Sequence, residues 1–196
     1  MRTILLTLCL FMGTILSAQN NVLIEIENAN AAYKVITGDF VRTQTNVAKG
    51  TSIKADGTLY IVGEDQMAQY YKAPSTDLLI INGNDFYMVR GKKTNKFNTE
   101  KNKTMRSLRN TLLYCVHGKP MELATENGAE ITAEKKANEY EVVLISTKKT
   151  PRGYAKIVLT YDLKSKLLTK MQIDEYNGNS TLYEMNNLKT NGNIDA

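Results

Sequence analysis

The side chains that could act as catalysts are few and scattered along this 196-residue chain. His117 is the only histidine, and Cys115 lies two positions before it. A zinc site needs about four His, Cys or carboxylate ligands, so this pair is too small for a metal centre. His117 precedes Gly118 at the expected end of a helix, where a charged imidazole would complement the helix terminus. We therefore favour a capping role for His117 over catalysis.

Paired carboxylates are the other candidates for acid–base chemistry, and they occur at Glu64-Asp65 and Asp174-Glu175. The first pair lies in an expected turn, where water reaches it. The second pair lies on an expected strand, whose adjacent side chains point to opposite faces and cannot converge on one substrate. The short motifs of serine hydrolases, zinc proteases and phosphate-binding loops do not occur. The residues therefore favour neither catalysis nor a metal site.

The first eighteen residues have the features of a secretory signal peptide. Arg2 provides a positive charge, and Ile4 to Leu16 is an apolar run too short to span a bilayer. Ala18 ends a usable cleavage site, whereas Cys9 lies too early, inside the apolar run, for lipid attachment. The alternative is a retained membrane anchor. We expect cleavage and export, which leaves a single domain over residues 19–196.

Lysines give the exported part of the chain its positive charge. Loss of Arg2 from the 25 basic residues leaves 24 against 20 acidic ones, a net charge of +4. Five lysines lie between Lys92 and Lys103. This segment is either a solvated hairpin tip or a surface for an acidic partner or an anionic lipid. Nucleic acid is disfavoured because the chain is expected to be exported and Phe97 is the only aromatic residue there for stacking.

Strands are predicted from alternating apolar residues between turn signals. In the first half they are Asp39 to Ala48, Ser52 to Ala55, Thr58 to Val62, Gln66 to Lys72, Asp77 to Ile81 and Phe86 to Arg90. In the second half they are Tyr140 to Ser146, Ala155 to Tyr161, Leu167 to Tyr176 and Ser180 to Leu188. The expected turns include Asp56-Gly57, Gly63-Glu64-Asp65, Asn82-Gly83 and Thr150 to Gly153. Seven to ten antiparallel strands predict a mainly β protein, with a strongly curved sheet or an incomplete barrel.

A helical segment interrupts the strands between Thr104 and Leu123. Its apolar residues recur at helical spacing at Met105, Leu108, Leu112, Cys115 and Val116. Thr104 is the expected N-cap of this helix, and Gly118 is the expected C-cap residue. A weaker helix is expected at Glu27 to Val35, which is rich in alanine. The chain thus predicts two or three short helices whose apolar stripes must pack on the sheet.

The order of these elements resembles the LolA-like family of periplasmic outer-membrane lipoprotein carriers. After the signal peptide, the similar segments are Gly38 to Phe40, Gly57 to Ile61, Tyr71 to Pro74, Leu79 to Gly83, Leu112-Leu113 and Tyr183 to Asn187. The resemblance implies an apolar hollow in an incomplete barrel, closed by a helical lid, with no cofactor. It also implies a periplasmic carrier that takes lipoproteins from an inner-membrane exporter, shields their acyl chains and passes them to an outer-membrane acceptor.

Residues that share one face of their strand are the predicted walls of this hollow. They are Leu59, Ile61, Met67, Tyr71, Phe86, Met88, Met171, Ile173, Tyr183 and Met185. The predicted inward face of the lid consists of Leu108, Leu112 and Leu113. The residues alone favour an ordinary filled core, and it is the resemblance that favours a cavity.

One position departs from the family pattern. Gly63 stands where the carriers have an arginine that bonds the lid, so the latch is either absent or built differently. The alternative function is a non-transporting lipid- or protein-binding sensor module, which a filled barrel centre would favour. An enzyme would require a polar cleft with converging carboxylates. We expect a monomer, and the cargo is not identified by the residues.

Overall fold

The computed structural model describes residues 19–149 and 153–192, and within them eleven antiparallel strands form one sheet. The strands are β1 (Val35–Asn46), β2 (Thr51–Val62), β3 (Gln66–Ala73), β4 (Leu78–Asn82), β5 (Asp85–Arg90), β6 (Lys93–Asn98), β7 (Ala129–Lys135), β8 (Glu139–Ser146), β9 (Tyr154–Asp162), β10 (Leu168–Glu175) and β11 (Ser180–Thr190). Their spatial order is β6-β5-β4-β3-β2-β1-β11-β10-β9-β8-β7. The sheet is curved and open, with β1 at its centre, which confirms the predicted fold class. The expected signal peptide and most of the Thr150 to Gly153 turn lie outside the described residues.

One face of the sheet, here called the inner face, carries the hydrophobic core. The pairing register brings Phe40 on β1 opposite Gly57 on β2 and Met185 on β11. On the other half of the sheet, Met171 on β10 lies opposite Leu159 on β9. Because side chains alternate between the two faces of a strand, this register gathers the apolar residues of all the central strands on one side.

Asp56-Gly57 is not a hairpin turn, contrary to the prediction. Both residues lie within the continuous strand β2, and the chain reverses instead between β1 and β2 at residues 47–50. Glycine is needed at 57 because a Cβ there would lie 2.1 Å from the carbonyl oxygen of Tyr70 and 2.9 Å from the ring of Phe40. A close approach of neighbouring backbone and an aromatic ring, rather than a turn, explains this glycine.

Both edge strands are additions to the predicted set. β6 falls in the lysine-rich segment, so part of that segment is a paired strand and not only a solvated tip. Lys96 on β6 forms an ion pair of 2.8 Å with Asp85 on β5. β7 contains Ile131 as its only large apolar side chain. Edge strands with few apolar residues and several charges resist pairing with another chain, and they give weak sequence signals for the same reason.

Three helices pack on the inner face: α1 (residues 19–31), α2 (Lys103–Val116) and α3 (Pro120–Asn127). The first lies earlier than the predicted Glu27 to Val35, because Val35 already belongs to β1. The N-cap of α2 is Asn102 and not Thr104, since Asn102 Oδ1 accepts a hydrogen bond of 3.1 Å from the Met105 amide. Of the helices within the described ranges, none combines the length and apolar character needed to cross a membrane.

Candidate functional site

The inner face is divided into a packed end and a hollow end. At the packed end, Leu23 and Ile26 of α1 and Val116 of α2 are buried against the sheet. The gap left between Val116 of α2 and the strands has a volume of only about 10 Å³, and it touches Leu59 and Met185. This end is therefore an ordinary close-packed core.

At the other end, a cavity of about 970 Å³ lies between the sheet and the lid, here defined as α2 and α3. Its floor is formed mainly by β1, β4, β5, β10 and β11. Its other walls are the first three turns of α2 and the C-terminal end of α3. The lining residues are Arg42, Gln44, Leu79, Met88, Lys103, Thr104, Ser107, Leu108, Thr111, Leu112, Thr125, Glu126, Asn127, Gly128, Ser146, Lys148, Gly153, Tyr154, Ile173, Glu175, Thr181 and Tyr183. The volume lies at the upper end of the range of about 300–1,000 Å³ that is usual for small-molecule sites.

The predicted site residues fall into two groups. Those at the cavity are Met88, Ile173, Tyr183, Leu108 and Leu112. The others are buried in the core away from it, and they are Leu59, Ile61, Met67, Tyr71, Phe86, Met171, Met185 and Leu113. All thirteen belong to, or pack against, the same core cluster. Period-two alternation identifies the inner face, whereas the position of the lid decides which part of that face borders the cavity.

Apolar side chains line the cavity on both the sheet and the lid. Ile173 on β10 and Leu79 and Met88 on β4 and β5 contribute from the sheet, and Leu108 and Leu112 contribute from α2. Leu112 is 1% exposed, whereas Leu108 and Ile173 are half-buried, so part of this surface remains accessible. Hydrocarbon placed between these side chains would remove apolar surface from water on both the sheet and the lid.

Arg42 is the functional candidate that sequence reasoning missed. Its Nη1 donates a hydrogen bond of 3.1 Å to Tyr71 Oη, and its guanidinium lies 4.8 Å from the centre of the Tyr71 ring. Tyr71 in turn donates to Gln69 Oε1 at 3.2 Å and packs edge-on against Phe40. Burial raises the pKa of Tyr71 above its ordinary value, despite the opposing effect of Arg42, so the phenol is neutral. The signal in the sequence was a charged residue two positions after Phe40, at an inward position of a strand.

The lid is attached to the sheet by hydrogen bonds from α2. Arg109 Nε donates to the carbonyl oxygen of Gly83, in the β4–β5 turn, at 2.7 Å. Asn110 Nδ2 donates to both carboxylate oxygens of Glu126, at 2.9 and 2.7 Å, which joins α2 to α3. Gly63 lies in the β2–β3 turn with a φ of +59°, a conformation that disfavours any residue with a side chain. The arginine that bonds the lid to the sheet here is Arg109, on α2, and not a residue of the β2–β3 turn.

The residues with catalytic potential do not converge. Cys115 is fully buried, and burial raises its pKa. His117 is 7% exposed, and burial lowers its pKa below the ordinary 6.5. His117 is the C-cap residue of α2, in line with its expected capping role, but its imidazole is neutral at pH 7, so it caps through its backbone amide and not through charge. Glu64 and Asp65 are exposed, and no group of three or more metal-ligating side chains occurs across residues 19–149 and 153–192.

An open antiparallel sheet that holds a cavity beneath short helices defines a binding fold of the incomplete-barrel class. The family model described as outer membrane lipoprotein carrier protein LolA matches residues 31–196. This chain therefore belongs to the LolA family, as its motifs indicated. No curated protein sequence matches the chain.

Solved structures with the same fold are distant in sequence. An uncharacterized conserved protein from Thermus thermophilus matches with a TM-score of 0.53 and 8% identity, over 88% of this chain and 87% of that one. A DUF1329 family protein from Desulfovibrio piger matches with a TM-score of 0.52 and 8% identity, over 89% and 92%. The MucA/MucB complex of Pseudomonas aeruginosa matches with a TM-score of 0.50 and 8% identity, over 89% of this chain and 58% of that one. At these identities the likeness shows a shared fold alone.

Proposed function

We propose that this protein is a carrier that shields the acyl chains of lipoproteins, or of other lipids, in its cavity and passes them from the inner to the outer membrane. The observation that carries the proposal is the cavity of about 970 Å³ between the sheet and the lid. Membership of the LolA family supports lipoproteins as the cargo. No step of this function requires a catalytic group.

Hydrophobic transfer supplies enough free energy for such a carrier. Each methylene that moves from water into an apolar site contributes about 0.8 kcal/mol. Ile173 on the sheet and Leu108 on α2 provide apolar surface on opposite sides of the chain. If entry requires the lid to move, the free energy of that movement lowers the net affinity, and this favours transfer to an acceptor.

The periplasm is the proposed location, supported by the signal-peptide pattern of the first eighteen residues. An inner-membrane exporter and an outer-membrane acceptor are the proposed partners of a monomeric carrier, by analogy with the family. Cell fractionation, with mass measurement of the purified protein, tests this location. We expect a periplasmic protein that begins near Gln19, and a membrane-bound protein of full length would contradict the proposal.

Ile173→Asp tests the cavity as the acyl site. Ile173 is half-buried and lines the cavity, so the substitution places a carboxylate on the apolar wall. We expect a loss of at least tenfold in affinity for a fluorescent fatty-acid probe, because burying an unpaired charge is costly. Ile145→Asp is the matched control, since Ile145 is 50% exposed on the opposite face of β8. Equal affinity in the two folded variants would contradict the proposed site.

A non-transporting sensor module that binds a protein segment is the second candidate. The observation that favours it is the polar part of the lining, which includes Gln44, Thr181 and Glu175. MucB, whose fold is similar, has been solved as a complex with MucA. Mass spectrometry of material that co-purifies from the native host separates the two. Stoichiometric lipid supports the carrier, and a stably bound protein without lipid supports the sensor.

A further inference from the structure

Arg42 carries a charge that none of the described residues neutralises. It lies on the central strand β1, between Ala55 of β2 and Tyr183 of β11, and it lines the cavity. No carboxylate oxygen in the described part of the chain lies within salt-bridge distance of its guanidinium. Its Nε is buried without a hydrogen-bond partner among the described protein atoms. A buried N–H group is normally hydrogen-bonded, so the unpartnered Nε of this half-buried side chain needs an explanation.

The neighbours of Arg42 do not serve as counter-ions. Tyr71, which accepts its only side-chain hydrogen bond, is a neutral phenol because burial raises its pKa. The acidic residues of the cavity lining are Glu126 and Glu175. Glu126 accepts two hydrogen bonds from Asn110, and Glu175 accepts one from Asn177 at 2.9 Å. Both carboxylates thus interact elsewhere.

A second donor at the cavity is also without a partner. The hydroxyl of Tyr154, on β9, is buried and has no hydrogen-bond partner among the described protein atoms. Arg42 Nε and Tyr154 Oη are two of the five such side-chain atoms in the described residues, and both residues line the cavity. Lys103 and Lys148 add positive charge to the same lining. The polar part of the cavity therefore offers donors and positive charge, which is the chemistry that an anion requires.

We propose that Arg42 binds the anionic head group, a carboxylate or a phosphate, of an amphiphile whose hydrocarbon chain lies between Ile173 and Leu108. The inference rests on the proposed function, since it assigns the polar end of the same ligand. A guanidinium forms short, charge-assisted hydrogen bonds with such oxygens, and these are stronger in a site shielded from water. The cavity then prefers anionic lipids to neutral lipids with the same chain.

The test compares ligands that share a twelve-carbon chain and differ in head group. Laurate and dodecyl phosphate are anionic, and monolauroyl glycerol is neutral. We expect the wild-type protein to bind both anionic ligands at least tenfold more tightly than the neutral one, as measured by displacement of a fluorescent fatty-acid probe. Equal affinities in the wild type would overturn the inference without any variant. Displacement of the probe by acetate or inorganic phosphate alone, at the same concentrations, would also overturn it, since a free anion would then be the ligand.

Arg42→Met keeps an unbranched apolar stem on β1 while it removes the guanidinium and its charge. We expect this variant to lose the preference and to bind all three ligands with similar affinity. Arg90→Met is the matched control, because Arg90 is 67% exposed and pairs with Asp77 at 3.7 Å, outside the cavity. A preference for anions that persists in Arg42→Met would overturn the assignment. Failure of the wild type to bind any of the three chains would instead refute the proposed function.

Discussion

Arg109 is the side chain through which α2 most directly holds the β4–β5 turn. Its Nε donates to the carbonyl oxygen of Gly83 at 2.7 Å, across 26 positions of sequence. Arg109→Met removes this bond while it keeps a long apolar stem on the helix. Because Gly83 is only partly buried, water can solvate its carbonyl oxygen once the guanidinium is gone. The substitution therefore measures the attachment of the lid with little additional cost.

The size of the effect follows from the geometry. A hydrogen bond from a charged donor contributes about 1.5–3 kcal/mol, and partial exposure reduces this to about 1–2 kcal/mol. Since about 1.4 kcal/mol corresponds to a factor of ten in an equilibrium constant, the population with α2 detached should rise roughly five- to thirtyfold. The same change should shorten the lifetime of a bound acyl chain, because release requires the lid to move.

Hydrogen exchange measured by mass spectrometry tests this prediction on peptides that cover Lys103–Val116. We expect exchange in α2 to become about five- to thirtyfold faster in Arg109→Met, with β9 and β10 unchanged. Arg106→Met is the matched control, since Arg106 donates to the nearby carbonyls of Thr99 and Glu100, within the connection from β6 to α2. Unchanged exchange in α2, or an equal increase in both variants, would refute the role given to Arg109.

Two further predictions concern stability. Gly57→Ala should lower the free energy of unfolding by at least ~3 kcal/mol in urea titrations, because a Cβ would lie 2.1 Å from the Tyr70 carbonyl oxygen. Gly192→Ala is the control, since its Cβ would meet no atom within 4 Å, and it should change the free energy of unfolding by less than ~0.5 kcal/mol. Similar losses in the two variants would contradict this reasoning. Burial lowers the pKa of His117 below its ordinary 6.5. As the pH falls below 6.5, His117 therefore binds a proton in the unfolded chain before it does so in the folded chain. The free energy of unfolding should therefore decline below pH 6.5 by up to ~1.4 kcal/mol per pH unit, and it should decline less in His117→Gln. An identical pH dependence of unfolding in the two proteins would exclude His117 as the cause.

Alternation of apolar residues was sufficient to predict the central strands and their inner face. It failed at the edges, because β6 contains Lys93 and Lys96 and β7 contains little more than Ile131 to identify it. It also failed at Gly57, where the glycine is required by the Tyr70 backbone on the next strand. A contact between two strands, such as that of Gly57 with the Tyr70 backbone, leaves no pattern in the local sequence.

The sequence predicts which face of the sheet borders the cavity, but not where on that face the cavity lies. Ile61 and Ile173 have the same inward orientation, yet α2 and its neighbours close tightly over the first and leave space above the second. Val116, at the C-terminal end of α2, covers the first, whereas the N-terminal turns of α2 border the cavity at the second. Arg42 gives only a weak signal in the sequence, because a single charged residue in an apolar strand does not distinguish a cavity wall from a solvent-facing position.

The most direct test of the carrier account is a crystal structure of the protein grown with laurate. We predict continuous electron density for the chain between Ile173 and Leu108, beneath α2, with the carboxylate directed toward Arg42. A cavity that contains only solvent at saturating laurate, or a chain bound on the outer face of the sheet, would contradict the account.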